Sequence, residues 1–436
     1  MKRIGIGKLI VLATTLVLVL TSCAAPQQTQ TPTQTASPSA TPTGKKLPDK
    51  IVVGCLEPLT GAHAIFGTEA KVGMEIAVKH INEAGGIQSL GGIPLELVSE
   101  DAGETADSAK LGAESIISKH RPVAILGLYI SRMTVAASEV TEREKVILVA
   151  DALVDSVTAM GRQYLFRPAP KASQHGVTAV EFVVQTATKA RQPVQKVAIL
   201  NEDSSFGRSN AVGALQAALD NQLTVVYQKE YPYDIADVSS IVSEISAAKP
   251  DFVVHCPYFM DAILFAKTFR EFNQIPKFIV GMGACGYTDP ESIKALGDTA
   301  NYYANTYSYN PAKNTAQNKK FVEDFKTKVG HIPTEAAGMN YYAMWVLKEA
   351  LELSGKLFPD DPLNPDNLRQ AFLKLDLTSG PAVDTYPTNH IAFTPTGDNP
   401  YARAVVMQVQ NGEPKVVWPF DSAEAEPVYP RPDATY

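Results

Sequence analysis

The sequence predicts an α/β protein of two lobes in tandem, each a parallel-rich sheet flanked by helices, joined by three hinge crossovers. Three observations carry this. From residue 51 onward, short apolar runs alternate with segments of helical periodicity, as in a parallel sheet covered on both faces. The alternation runs to about residue 170 and restarts at 195. The chain, 436 residues long, is large enough for two domains of ordinary size.

KIVVG (50–54) opens the first unit as a buried strand. A helix follows over 67–84, where Ala70, Gly73, Ala77 and Ile81 share one face. GGIPLELVSED (91–101) is a second strand, 108–119 a helix, and PVAILG (122–127) a third strand. A helix over 133–142, the strand KVILVA (145–150) and the short strand QYLFRPAP (163–170) complete the unit. The second unit has strands at 195–203, 223–232, 250–257 and 277–284, with helices at 207–219, 237–248 and 262–272. Beyond it, 321–329, 334–354 and 367–375 read as helices, the longest opened by Pro333-Thr334. Hairpin-like strands close the chain, with a turn at Asn411-Gly412. Crossings after about 170, near 305 and near 385 assign 49–170 and 306–384 to lobe 1, and 171–305 and 385–436 to lobe 2.

The chain opens with a basic head, Lys2, Arg3 and Lys8, and an apolar stretch from Leu9 to Leu20. That stretch is too short to span a hydrocarbon core, which needs roughly 20 apolar residues. Residues 1–23 are therefore expected to be an export signal ending at Cys23. Residues 24–48, rich in Thr, Gln and Pro, cannot recover the entropy of ordering themselves and are expected to be a tether. Formal charge is −7, and −10 once Lys2, Arg3 and Lys8 leave with the signal. An acidic body without a basic patch argues against binding nucleic acid or another polyanion. Cys55, Cys256 and Cys285 remain after Cys23. An odd number permits one bridge and one free thiol; a Cys256–Cys285 pairing is the expectation, since both lie at strand ends.

Catalytic constellations are missing. Seven histidines occur without His-x-x-x-His spacing, and no Cys-x-x-Cys is present, so neither a metal nor a cofactor is expected. There is no Gly-x-Ser-x-Gly elbow, no Walker loop and no Gly-x-Gly-x-x-Gly fingerprint. GMGACG (281–286) reads as a tight strand-end turn. The expectation is a protein that is not an enzyme.

What recurs is a polar turn where a strand hands over to a helix. In α/β sheets, ligands bind beyond the carboxyl ends of the strands, where helix N–H groups attract a carboxylate. Four such edges stand out: PLTGAHAIFG (58–67) with Phe66, Gly127 to Ser131 with Tyr129, ADALVDS (150–156), and HCPYFMD (255–261) with Tyr258. Each has a plainer reading. Ser131 either takes a carboxylate or caps a helix starting near Met133. Tyr129, Phe66 and Tyr258 either wall a cleft or pack. Asp151 and Asp155 either grip an ammonium or sit in solvated turns, and Arg132 either pairs with a carboxylate or points to solvent.

Several segments resemble, in order and spacing, the bacterial periplasmic binding proteins for branched-chain amino acids, the type I substrate-binding components of ABC importers. They are EPLTGAHAIFGTEAKVGMEIAVKHINEAGGI, LELVSEDAGETADSAKLGAESII, ILGLYISRMTVAASEV, YLFRPAPKASQHG and NEDSSFGRSNAVGAL. The tetrad Leu20-Thr21-Ser22-Cys23 is similar to a lipoprotein cleavage box, which implies acylation of Cys23 and anchoring at the outer face of the cell membrane. The resemblance implies reversible solute binding in a hinged cleft, delivery to membrane permease subunits, and a monomer in solution. It places the family serine on Ser131, the aromatic before the first helix on Phe66, a backbone contact on Ala152, and a second-lobe tyrosine on Tyr258. The family threonine falls on Val154, losing a hydroxyl. The family acid is expected near 283–286, where the nearest carboxylate is Asp289. Without those acceptors, Asp151 or Asp289 substitutes, or the ligand has no α-amine. An amino acid is narrowly favoured over an aromatic or aliphatic acid or an amide, with a ligand-sensing receptor module as a further alternative.

Overall fold

Residues 46–284 and 286–436 are described by the structure, a computed structural model. The expected export signal with Cys23, the expected tether as far as residue 45, and Cys285 lie outside the described residues. Cys55 and Cys256 are buried free thiols.

The first unit alternates strand and helix: β1 (Ile51–Glu57), α1 (Ala64–Glu83), β2 (Leu95–Asp101), α2 (Ala106–His120), β3 (Ala124–Gly127), α3 (Ser131–Arg143), β4 (Ile147–Ala150), α4 (Ser156–Ala159) and β5 (Leu165–Phe166). The strands form a parallel sheet in the order β2-β1-β3-β4-β5. β3 (AILG) and β4 (ILVA) are buried throughout, because helices cover both faces and no position must meet water. α1 begins at Ala64 and α3 at Ser131, each earlier than the periodicity suggests.

The second unit comprises α5 (Ala172–Lys189), β6 (Lys196–Glu202), α6 (Ser205–Asp220), β7 (Thr224–Tyr231), α7 (Ser239–Ala248), β8 (Phe252–Cys256), α8 (Phe259–Glu271), β9 (Ile279–Gly281), α9 (Pro290–Leu296) and β10 (Ala304–Tyr307). Two of these helices were not anticipated. α5 buries Ala172, His175, Gly176, Ala179, Val180, Phe182 and Val183, an apolar stripe at helical spacing. It lies along α6 at close range: a Cβ on Gly213 would stand 1.9 Å from the Ser173 carbonyl oxygen, and one on Gly176 would stand 2.1 Å from that of Asn210. α9 is short and begins with Pro290.

The chain continues through α10 (Ala316–Val329), α11 (Glu335–Leu357), α12 (Pro365–Leu373), β11 (Asp376–Leu377), α13 (Pro381–Asp384), β12 (Ile391–Ala392), β13 (Val405–Gln410) and β14 (Glu413–Trp418). α11 packs along α1 and touches β3, so the chain has returned to the first sheet. Residues 335–347 of α11 are all buried, as expected of a helix covered on every side. β12 pairs with β11, and the chain then enters the larger sheet at Val405. That sheet runs β14-β13-β10-β9-β8-β6-β7, with β6 to β10 parallel and the β13–β14 hairpin antiparallel at one side.

The passages between the sheets are tied together. Arg167, just after β5, is wholly buried and its guanidinium donates to Asp398, which precedes β13. His175 of α5 bonds Thr306 Oγ1 at 2.8 Å and Ser308 Oγ at 2.9 Å, beside the passage out of β10. Strand order reverses between β1 and β3 in one sheet and between β6 and β8 in the other. Ligand sites of open α/β sheets lie in the crevice outside such points.

Candidate functional site

The loops leaving β3 and β4 meet those leaving β6, β8 and β9 across a narrow gap. Tyr129, Ser131 and Leu153 line it from the first sheet, and Phe206, Tyr258 and Ala284 from the second, around a nearly closed cavity of about 10 Å³. A larger open depression beside Lys326, His331 and Lys415 holds none of the expected site residues.

The turn after β3 is shaped by what lies behind it. Gly127 has φ +116°, and a Cβ there would stand 2.6 Å from the Glu57 carboxylate, so only glycine fits this left-handed position. The closeness lets Glu57 Oε2 accept the Tyr129 N–H at 3.1 Å. The Tyr129 hydroxyl donates to Glu335 at 3.2 Å, and its ring stacks on Phe66, centroids 5.1 Å apart. Tyr129 is thus a fixed wall. Phe66 stands behind it and does not line the gap.

Ser131 is the first residue of α3, with Ile130 in the cap position supplying no side-chain bond. The helix therefore starts with first-turn N–H groups that no side chain caps, the arrangement that attracts an anion. Ser131 Oγ lines the gap and lies 3.4 Å from the Val154 N–H, which donates to it. The capping role open to Ser131 in the sequence is not the one it has.

In the turn after β4, Ala152 and Val154 are buried and Leu153 reaches the gap. Arg167 holds this turn by donating to the carbonyls of Leu153 at 2.9 Å and Val154 at 2.6 Å.

Neither candidate acid lines the gap. Asp151 is 2% exposed, accepts from Asn340 Nδ2 at 2.7 Å and shares a hydrogen bond with Glu57. Burial pushes its carboxyl up to about 6 and pushes Glu57 well above the ordinary range. Asp289 caps α9, accepting the Glu291 N–H at 2.9 Å, and is pushed up to about 7 by burial and by Glu69. Asp155 is occupied by the N–H and hydroxyl of Ser173. Arg132 is exposed beside the gap, its guanidinium 5.3 Å from the Tyr233 ring centroid.

On the second side, Tyr258 precedes α8 and lies 5.6 Å from Phe206, centroid to centroid. Behind it, Tyr231 donates to Asp261 and bonds His255. Among the described residues, no group of three or more His, Cys, Asp or Glu side chains could hold a metal.

The family model for periplasmic binding proteins matches residues 50–414. The chain belongs to the periplasmic binding protein family. A Leu/Ile/Val-binding protein homolog from Brucella melitensis is 31% identical over 390 residues, 86% of this chain and 91% of that protein. In structure, the chain is similar to a leucine-binding protein from Thermotoga maritima (TM-score 0.70, 24% identity, 84% of this chain and 97% of that one). It is also similar to an ABC-transporter solute-binding protein from Rhodopseudomonas palustris in complex with benzoate (TM-score 0.71, 18% identity, 89% and 99%). These likenesses share the two-lobed α/β fold. The match spans most of the chain, so membership of the family of periplasmic binding proteins is a property of the whole two-lobed body and not of one lobe. Its fold is that of a binding protein, not an enzyme.

Within this periplasmic binding protein, sequence reasoning named Tyr129, Ser131 and Tyr258 but passed over Leu153, Phe206 and Ala284. Phe206 was within reach. It sits in SSFG, just past a predicted strand ending in NED, at the kind of strand-to-helix turn that singled out the others.

Proposed function

We propose that this importer component binds an aromatic or apolar carboxylate that has no α-ammonium group. The observation that carries the reading is the composition of the gap. It offers a serine hydroxyl, uncapped helix N–H groups and aromatic walls, and no carboxylate among its lining residues. An ammonium enclosed there would lose its water without gaining an anionic acceptor, at roughly 1–3 kcal/mol or more. A carboxylate is served by Ser131, the start of α3 and the nearby charge of Arg132. Its apolar portion would lie between Tyr129 on one side and Tyr258 with Phe206 on the other.

Solved structures of this fold hold either class of ligand: leucine in a protein from Desulfitobacterium hafniense, benzoate or 3,4-dihydroxybenzoic acid in proteins from Rhodopseudomonas palustris. The choice therefore rests on the lining. The sequence alone had favoured an amino acid, on the assumption that Asp151 or Asp289 replaces the missing acid; both have other partners. Acylated Cys23 would hold the carrier beside its permease, with residues 24–48 as spacer, and the protein would work as a monomer.

Titration calorimetry of the purified protein with benzoate, phenylalanine and leucine tests the ligand class. Binding of benzoate with no heat from the two amino acids is expected. Leucine binding while benzoate is ignored would overturn the reading. Mass spectrometry of the membrane-extracted protein tests the anchor; an unacylated Cys23 would sink that part.

A further inference from the structure

At the rim of the gap, Tyr233 and His63 join residues of the site, Arg132 and Tyr258, in a cluster whose bridging contact has no part in the site described above. Tyr233 follows β7 and is held on the second side by its own N–H, which donates to Asp203 at 3.0 Å. Its ring packs edge-on against Tyr258, centroids 5.5 Å apart. Its hydroxyl reaches across and bonds His63 Nε2, in the loop before α1 on the first side. The Arg132 guanidinium, also from the first side, lies over the same ring at 5.3 Å. Tyr233 thus touches both sides of the gap directly above a lining residue.

Glu104 sets the first-side partners in place. It accepts the His63 N–H at 3.1 Å and stands 3.5 Å from His63 Nδ1, and its carbonyl lies 3.4 Å from Arg132 Nη2. Gly61 leaves the room Glu104 occupies: a Cβ there would fall 2.1 Å from its carboxyl carbon. His63 is 6% exposed. It also meets Tyr258 edge-on, at 6.0 Å. A loop anchored on one lobe therefore presents one aromatic side chain to a prepared pair on the other.

We propose that Tyr233 is a clasp that sets how long the solute is retained. When the lobes close, its hydroxyl engages His63 and its ring engages Arg132 across the mouth of the gap, so release requires breaking both contacts. The clasp acts on the closed form only. It slows dissociation and leaves association nearly untouched, because an open cleft admits solute before Tyr233 meets its partners. This goes beyond the choice of ligand and holds for whichever solute the gap takes.

The test is stopped-flow release of benzoate, or of leucine if leucine is what binds, from wild type and from Tyr233→Ala, Tyr233→Phe and His63→Gln. Tyr233→Ala should speed release about tenfold, one neutral hydrogen bond and one cation–π contact together. Tyr233→Phe keeps the ring and loses the hydroxyl, so it should fall between, and His63→Gln, which retains a bonding amide, should restore most of the retention. Association rate and thermal midpoint should stay near wild type in all three. Small-angle scattering without solute gives a readout independent of the ligand: Tyr233→Ala should have the larger mean radius of gyration. Unchanged release and an unchanged radius in Tyr233→Ala would overturn the clasp. So would a rate change that appears only with a matching loss of thermal midpoint, which would make Tyr233 a packing residue. Failure of benzoate to bind wild type overturns the ligand class and leaves the clasp to be judged by leucine release and the scattering.

Discussion

At the cleft, two side chains just beyond the ends of β3 and β4 divide the electrostatic work between them. Ser131 presents a hydroxyl to the gap from the uncapped first turn of α3, and Asp151 stays buried behind it with Glu57 and Asn340. Ser131→Ala should weaken benzoate binding about tenfold, since hydrogen bonds to charged groups are worth roughly 1.5–3 kcal/mol. Calorimetry reads the affinity and a melting curve the stability; an affinity that does not move would mean the serine serves only the Val154 N–H. Asp151 makes a prediction about pH. Its carboxyl is raised in the folded chain to about 6, above an unfolded value of about 3.9, so the folded state holds the proton more tightly. Its contribution to stability is therefore full below about pH 4 and is lost as pH rises through 6. Asp151→Asn removes this dependence. Its melting temperature relative to wild type should climb between pH 4 and 6 and level off above, and a difference flat across that window would contradict the assignment.

Elements show why some of this architecture was legible in the sequence and some was not. β3 and β4 announced themselves as continuous apolar runs because both faces are covered. α5 buries Val180, Phe182 and Val183 at helical spacing, but its close approach to α6, through Gly176, Gly213 and backbone carbonyls, leaves no mark in an apolar pattern. The same blindness affected the site. Ser131 and Tyr258 lie in strand-end turns that a general rule singles out, and so did Phe206. Which acids face the gap depends on where a side chain turns: Asp151 toward Asn340, Asp289 back along α9. No pattern along the chain encodes that. The α5–α6 contact is testable on its own terms. Gly213→Ala places a methyl 1.9 Å from the Ser173 carbonyl oxygen, so the helices must part. A loss of about 1–3 kcal/mol is expected, measured by urea denaturation, and a variant as stable as wild type would show that the helices separate freely.

For the whole molecule, the chain passes between the two sheets three times, and the proposed hinge would have to let the sheets move while keeping those passages in register. The buried ties serve the second, because they join one passage to another: Arg167 to Asp398, and His175 to Thr306 and Ser308. Arg167 carries the most connections of these. Its side chain bonds Asp398 across to the last passage and the carbonyls of Leu153 and Val154 toward the ligand gap, and its Nη2 meets Thr158 Oγ1 at 3.1 Å. Its own N–H donates to the Gly397 carbonyl at 2.8 Å. Removing it leaves Asp398, itself only 13% exposed in its side chain, without its main partner, and a broken buried pair costs about 3–5 kcal/mol. Arg167→Met keeps the length and apolar stem of the side chain, so loss of charge and hydrogen bonding dominates the effect. The expected outcome is an unfolding free energy, measured by urea denaturation, lowered by that amount. A second change should follow that packing alone would not produce. The turn carrying Leu153 loses its support, so benzoate affinity should fall even at temperatures where the variant is fully folded. Arg167→Lys should recover part of the stability through Asp398 but little of the affinity, because a single ammonium cannot reach the carboxylate and both carbonyls at once. Full recovery of both by lysine would mean that Arg167 acts as a charge and nothing more.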